Sequence, residues 1–267
     1  MYRIILSALL CCATAAAVRA QQPGKGLTAT LDCYYNYEHK KDKEGKLIRW
    51  HYIWDEQDSG GLSVWGHILD SLGVQRDTLH HAPDAASLQH TDIYIIIDPD
   101  NEKDAAAPNY MTAADAAAIY NWVKAGGILV ILQNDGPNAE YERFNLLTEK
   151  FGIHFNGDLR NTVQGRNWEQ GALRIPPKHE IFPNVQKVYI KEISTMTLKA
   201  PARAVYTDGK DVLMAVAKIG RGTVFAVGDP WFYNEYVDGK RLPPEYQNYA
   251  AAADLSAWLI RQAARKK

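Results

Sequence analysis

The sequence predicts an α/β fold built around a mostly parallel, doubly wound sheet, and two patterns carry that expectation. Short runs rich in Val, Ile and Tyr, each ending in turn residues, recur as LTATLDCYYN, DIYIIID, GILVILQ, DVLMAVA and GTVFAVGD. Stretches with helical spacing separate them, and strands alternating with helices indicate a parallel sheet covered on both faces.

The chain opens with MYRIILSALLCCATAAAVRA. One Arg near the start, an apolar run from Ile4 to Cys12 and the small-x-small triplet Val18-Arg19-Ala20 predict a signal peptide over residues 1–20, cleaved after Ala20. A periplasmic or secreted protein follows from that reading. The apolar run is shorter than the roughly 20 residues that span a bilayer, so no integral membrane segment is expected after cleavage. Lipidation at Cys12 is a weaker reading, because Cys11 stands where a small residue would precede a lipidated cysteine. Cleavage leaves Cys33 alone, and a single cysteine closes no internal disulfide, so the fold must rest on its core. Within an expected strand, Cys33 reads as a small buried residue.

The remaining residues, 21–267, are expected to form one domain. GLSVWGHILDSLG places Leu62, Trp65, Ile68, Leu69 and Leu72 on one helical face and stops at Gly73. TAADAAAIYNWVKAGG opens with Thr112 and Asp115 in a capping-box arrangement and ends at Gly126-Gly127. AAAADLSAWLIRQAARKK is a C-terminal helix with an apolar stripe. Between about 155 and 210 the alternation breaks into RIPPKHEIFPNV and KEISTMTLKAPARAVYTDG, which predict a small β-rich insertion.

Acids and bases nearly balance, 31 against 30, and no basic stripe appears, so nucleic acid is not expected as a partner. Seven Trp and fifteen Tyr, many beside Asp, Asn or Glu, point instead to carbohydrate, because sugar rings stack on amphipathic aromatic faces.

In open α/β sheets ligands bind at the carboxyl ends of strands, where strand order reverses. Three expected strands run into polar clusters: IIID into Asp98-Pro99-Asp100-Asn101, ILVIL into Gln133-Asn134-Asp135, and VFAV into Gly228-Asp229-Pro230-Trp231. Turns and helix caps use the same residue types. The ring-rich AVGDPWFYNEY nonetheless exceeds what a turn requires, and predicts one wall of a cleft. RWHYIWDEQDSGGLS is a second candidate wall, with His51 as an acid or base and Gly60-Gly61 offering backbone N–H groups to an anion. No G-x-S-x-G elbow, phosphate-binding G-x-x-x-x-G-K-S/T loop or H-E-x-x-H zinc helix occurs. No cofactor or metal is expected, a Ca²⁺ at Asp98 and Asp100 being the one alternative.

The blocks HYIWDEQDSGG, YIIIDPDNE with PNY, GGILVILQND, VYIKEIST and FAVGDPWFYNEYVDGKRLP together resemble the glutamine-amidotransferase-like α/β domain found with Bacteroidetes unsaturated rhamnogalacturonyl hydrolases of glycoside hydrolase family 105. The resemblance covers nearly the whole mature chain. It implies a class I amidotransferase-like, flavodoxin-like fold and a role in breaking down rhamnogalacturonan- or ulvan-type polysaccharide, with an unsaturated uronyl hydrolase as partner. Amidotransferase chemistry does not carry over, because the G-x-C-x-G nucleophile motif is absent.

Two functions follow from the resemblance. In the first, an enzyme acts on the uronyl end of an oligosaccharide. Water elimination would use His51 or Lys191 as base and Asp229 or Glu235 as acid, whereas glycosidic hydrolysis would pair Asp98 or Asp100 with Asp229. In the second, a non-catalytic module binds oligosaccharide: Trp54, Trp231 and Tyr233 stack on rings, and Asn101, Asn134 and Asn234 bond hydroxyls. Asn109, Tyr110 and Asp135 complete the expected substrate-binding set.

Overall fold

The computed structural model describes residues 22–264 of the 267-residue chain. The expected leader, with Cys11 and Cys12, lies outside the described residues. In chain order the elements are β1 (Thr28–Asp32), β2 (His39–Lys41), β3 (Leu47–Arg49), α1 (Ser63–Ser71), β4 (Gln75–Leu79), β5 (Ile93–Ile97), α2 (Ala113–Lys124), β6 (Ile128–Leu132), α3 (Asn145–Thr148), β7 (Ile153–Phe155), β8 (Ala172–Arg174), β9 (Lys187–Tyr189), β10 (Met196–Leu198), β11 (Arg203–Asp208), β12 (Asp211–Ile219), β13 (Gly222–Val227), α4 (Asn234–Val237) and α5 (Asn248–Ala264).

The central sheet runs β4-β1-β5-β6-β13-β12-β10-β7, with β11 also paired to β12. Its first five strands are parallel. From β12 onward every pairing is antiparallel, because β12 and β13 form a hairpin closed by Gly220 at φ 56°. Strands β5 and β6 are buried along their whole length, as continuous apolar runs in a two-sided sheet should be. Alternation sorts their side chains: Ile93, Ile95 and Ile97 join the core under α1 and α5, while Tyr94 and Ile96 join the one under α2.

Helix boundaries follow local chemistry. Helix α2 carries the Thr112–Asp115 capping box and buries Ala116, Ile119 and Val123, one face at helical spacing. Helix α1 buries Trp65, Ile68 and Leu69, and ends at Leu72 before Gly73 takes φ 84°. Trp65 donates its indole N–H to Ser256 on α5 at 3.0 Å, which fixes the two helices side by side. Cys33 is buried in the same core layer, and burial pushes its thiol up to about 11. No helix among the described residues is long and apolar enough to cross a membrane.

The segment 155–210 divides in two. Strands β10 and β11 pair into the central sheet, while β8 and β9 form a separate antiparallel ribbon.

Chain order sets the position of the site. The chain leaves β1 through α1 to β4 on one side, then crosses to β5 on the other, so strand order reverses between β1 and β5. The crevice beyond their carboxyl ends is where side chains from separate strands can converge.

Candidate active site

A short hairpin builds the first wall. Leaving β1, the chain turns at Asn36 and forms the β2–β3 ribbon, in which His39 pairs with Arg49. That pairing returns Trp50 to Glu38, and the Trp50 N–H donates to the Glu38 carbonyl at 3.1 Å. The Arg49 guanidinium locks the base of the ribbon, donating to the carbonyls of Glu38 and Trp50 at 2.7 Å each and to Asn36. His51 consequently lies against Glu38, with Nδ1 2.7 Å from Oε1. Its ring is stacked between Trp50 and Tyr52, and a Cβ on Gly60 would lie 2.5 Å from its Cδ2. Only glycine admits the imidazole there.

Three strand ends form the floor. The β5 end is tied to the β1 loop: Asn36 donates its amide to the Asp98 carbonyl at 3.0 Å, and Asp100 accepts the Tyr37 N–H at 2.7 Å. After β6 come Asn134 and Asp135, the latter accepting from Asn138 at 2.8 Å. After β13 comes Asp229, and the Gly228 carbonyl accepts the Ser194 N–H at 3.0 Å, which draws the 191–195 segment alongside. Lys191 and Glu192 enter the cleft on that segment, paired at 2.6 Å. The cleft of about 410 Å³ thus gathers Glu38, His51, Asp98, Asp229 and Lys191, with Asn134, Asp135, Tyr233 and Glu235 also on its lining.

Among the described residues six non-glycine positions take left-handed φ angles, and four of them line this cleft: His51 (67°), Tyr52 (49°), Asp98 (44°) and Glu192 (51°). Each such conformation costs on the order of 1 kcal/mol, and sites that need fixed side-chain directions are where this strain collects.

Burial sets the proton inventory. Asp229 is 5 % exposed, and loss of solvent holds its carboxyl well above the usual range, with nearby Lys191 opposing the shift. Asp98, also 5 % exposed, is raised by burial and then by repulsion from Glu38, while the Asn134 side chain eases it. Asp100 is pushed up to about 7 by burial, against the pull of the Tyr37 N–H. Burial thus favours the protonated form of both Asp98 and Asp229, the form in which a carboxyl can act as an acid.

Residues 55–239 match the family model described as a domain of unknown function, DUF4350. The chain belongs to the DUF4350 family. The match takes in Asp98, Lys191 and Asp229 but opens after Glu38 and His51, so the hairpin wall precedes it. No curated protein matches the chain. Among solved structures, the mmIFT52 N-terminal domain is similar at TM-score 0.63 and 17% identity, over 87% of this chain and 96% of that one. Cytoplasmic Protein STM1381 from Salmonella typhimurium LT2 is similar at TM-score 0.56 and 14% identity, over 90% and 99%. Exo-beta-1,4-mannosidase Op5Man5 from Opitutaceae bacterium strain TAV5 gives TM-score 0.48 and 14% identity, over 87% of this chain and 35% of that one, too distant to carry an argument. These identities speak to fold alone.

Several expected site residues of this DUF4350 chain lie elsewhere. Trp231 is fully buried between Phe232 and Phe182, because Asp229 faces the cleft and the chain turns inward after Pro230. Trp54 is buried against Trp65, donates to the Asp77 carbonyl at 3.0 Å and borders a different depression. Asn234 braces the start of α1, accepting the Val64 N–H at 3.0 Å and donating to Glu56, Asp58 and Ser63. It thereby occupies the helix end where Gly60-Gly61 were expected to help bind an anion. Asp100 lies behind the cleft on the Tyr37 N–H. Asn101 bonds Lys103 and Pro137, Asn109 donates to the Tyr34 carbonyl, and Tyr110 bonds Glu102 under Arg143; all three are outside the cleft lining. Trp50 and Tyr52, within the expected RWHYIWDEQDSGGLS wall, do line the cleft, while sequence reasoning missed Glu38 and Glu192. The local signal for Glu38 is the turn after β2, where the Asp42 side chain accepts the Glu44 and Lys46 N–H groups at 3.1 and 2.8 Å. Read as the tip of a hairpin, that turn folds Glu38 back beside Trp50 and His51.

Proposed function

We propose that this protein is an exported enzyme acting on the uronyl end of oligosaccharides from rhamnogalacturonan- or ulvan-type polysaccharide, as companion to an unsaturated uronyl hydrolase. The observation that carries the reading is Asp229, a buried carboxyl held well above its usual range, sharing one cleft with the Glu38-paired His51 and with Lys191. Water elimination suits this arrangement better than glycosidic hydrolysis. A hydrolytic pair needs one ionised carboxylate as base or nucleophile, and burial disfavours the ionised form of both Asp98 and Asp229. In the elimination, the base takes the C5 proton, the C5–H electron pair forms the C4–C5 double bond, and the C4–O bond breaks as Asp229 protonates the departing hydroxyl. The product is the unsaturated uronyl end plus water.

The same reading takes the domain as class I glutamine-amidotransferase-like and doubly wound, with Gln133-Asn134-Asp135 after β6 where the nucleophile elbow would lie. Helices on both sheet faces support it. The binding-module alternative loses two of its three stacking rings, since Trp54 and Trp231 are turned away. Asp229→Asn tests the assignment: turnover of uronate-terminated oligosaccharide should fall at least about 100-fold with the thermal unfolding profile preserved. Undiminished turnover would remove Asp229 from the mechanism.

A further inference from the structure

The cleft carries a chemistry that acid–base catalysis does not use. Glu38, His51 and Asp98 each present a ligand atom, and these atoms lie within 4.8 Å of one another. The first two come from the hairpin wall and the third from the β5 end, so the fold and not a local sequence run brings them together. Asp98 supplies the independent sign of a ligand: it is only 5 % exposed, it lines the cleft, and its Oδ1 has no hydrogen-bond partner among the described residues. An orphaned buried oxygen is destabilising unless something binds it. Acidic groups predominate around it. Seven carboxylic acids line the cleft among the described residues, against one lysine and one histidine.

We propose that Glu38, His51 and Asp98 hold a divalent transition-metal ion of the Mn²⁺ or Zn²⁺ type. One imidazole nitrogen with two carboxylate oxygens is a mixed donor set, which favours such an ion over Ca²⁺, a purely oxygen-seeking one. Asp100, expected as a Ca²⁺ ligand beside Asp98, has Oδ2 on the Tyr37 N–H and a second buried oxygen without a partner among the described residues, but it is absent from the cleft lining and from the cluster of three. Three protein ligands leave coordination positions open toward the cleft. Any proton that the three ligand atoms hold passes to solvent as the ion binds. The inference goes beyond the uronyl reading and stands without it. Where both hold, His51 is a ligand, Lys191 is left as the base, and the ion supplies the positive charge that an anionic substrate needs in an acidic cleft.

The test uses the full mature protein, stripped with chelator and titrated with MnCl₂, ZnCl₂ or CaCl₂ by calorimetry, with bound metal counted by elemental analysis. Mn²⁺ or Zn²⁺ should bind at one equivalent, and Asp98→Asn and His51→Gln should each weaken it at least about tenfold. Glu169→Gln, at an exposed ion pair outside the cleft, should not. Thermal unfolding checks that each variant is folded, and Glu38→Gln replaces either one that is not. No uptake by the folded protein, equal uptake by the variants, or tighter binding of Ca²⁺ would each overturn the assignment. None of these outcomes depends on a sugar, so failure here is separable from failure of the proposed reaction.

Discussion

Replacing Asp32 by Asn should make the protein more stable at neutral pH, and the structure gives the size of the effect. Asp32 closes β1 and is 2 % exposed. It accepts the N–H groups of Tyr34 and Tyr35 at 3.2 and 2.7 Å and the Tyr94 hydroxyl at 2.5 Å. Burial outweighs these donors and raises its carboxyl from 3.8 to about 6. The folded state therefore binds this proton more tightly than the unfolded chain does. The resulting stability is fully present below about pH 4 and is lost as pH rises through about 6. A shift of about two units at about 1.4 kcal/mol each amounts to about 3 kcal/mol. Asparagine keeps an acceptor for the Tyr34 and Tyr35 N–H groups, turns a donor toward Tyr94 and carries no charge. Urea unfolding followed by tryptophan fluorescence at pH 4 to 8 should show the variant gaining on the wild type by about 3 kcal/mol between about pH 4 and 7. Other titrating groups cancel in the difference. A gap that stays constant, or moves the other way, refutes the burial argument at this residue.

Two further substitutions probe packing around the cleft. Trp231→Ala should lower stability by about 3–5 kcal/mol, as expected for a fully buried ring, read as a fall in the urea midpoint. Unchanged stability with a raised KM would instead restore Trp231 to the substrate surface. Gly228→Ala places a Cβ 1.9 Å from the Ser194 carbonyl oxygen, a backbone atom that cannot swing aside. It should cost about 2 kcal/mol or more and displace the Lys191–Glu192 segment, so that Tm and turnover fall together. Retention of both would show that this contact does not hold the cleft wall.

Much of this fold was legible because the parallel strands β5, β6 and β13 are short apolar runs and α1 and α2 carry their own start or stop signals, whereas the parallel edge strand β4, QRDTL, has no such pattern. The Thr112–Asp115 box and Gly73 are local chemistry, readable without neighbours. The three polar strand ends were legible through topology, and Asp98, Asn134, Asp135 and Asp229 meet in one cleft. What sequence did not disclose is which members of an aromatic or amide-rich run face inward. In GDPWFYNEY, Asp229, Tyr233 and Glu235 reach the cleft, while Trp231 and Phe232 enter the core and Asn234 caps a helix 170 positions away. That sorting depends on the backbone direction after Pro230 and on α1, neither of which is encoded in the run itself. The Glu38–His51 pair was hidden for the same reason, since it exists only because β2 pairs with β3.

The central claim is that this cleft eliminates water from a uronyl end. Its most direct test is incubation of the purified protein with uronate-terminated rhamnogalacturonan and ulvan oligosaccharides, followed by mass spectrometry and ultraviolet absorbance. Loss of one water, with growth of the absorbance of an enol-ether-conjugated carboxylate, is the predicted result. Gain of water with fragmentation, or no change in mass on any of these substrates, would contradict it.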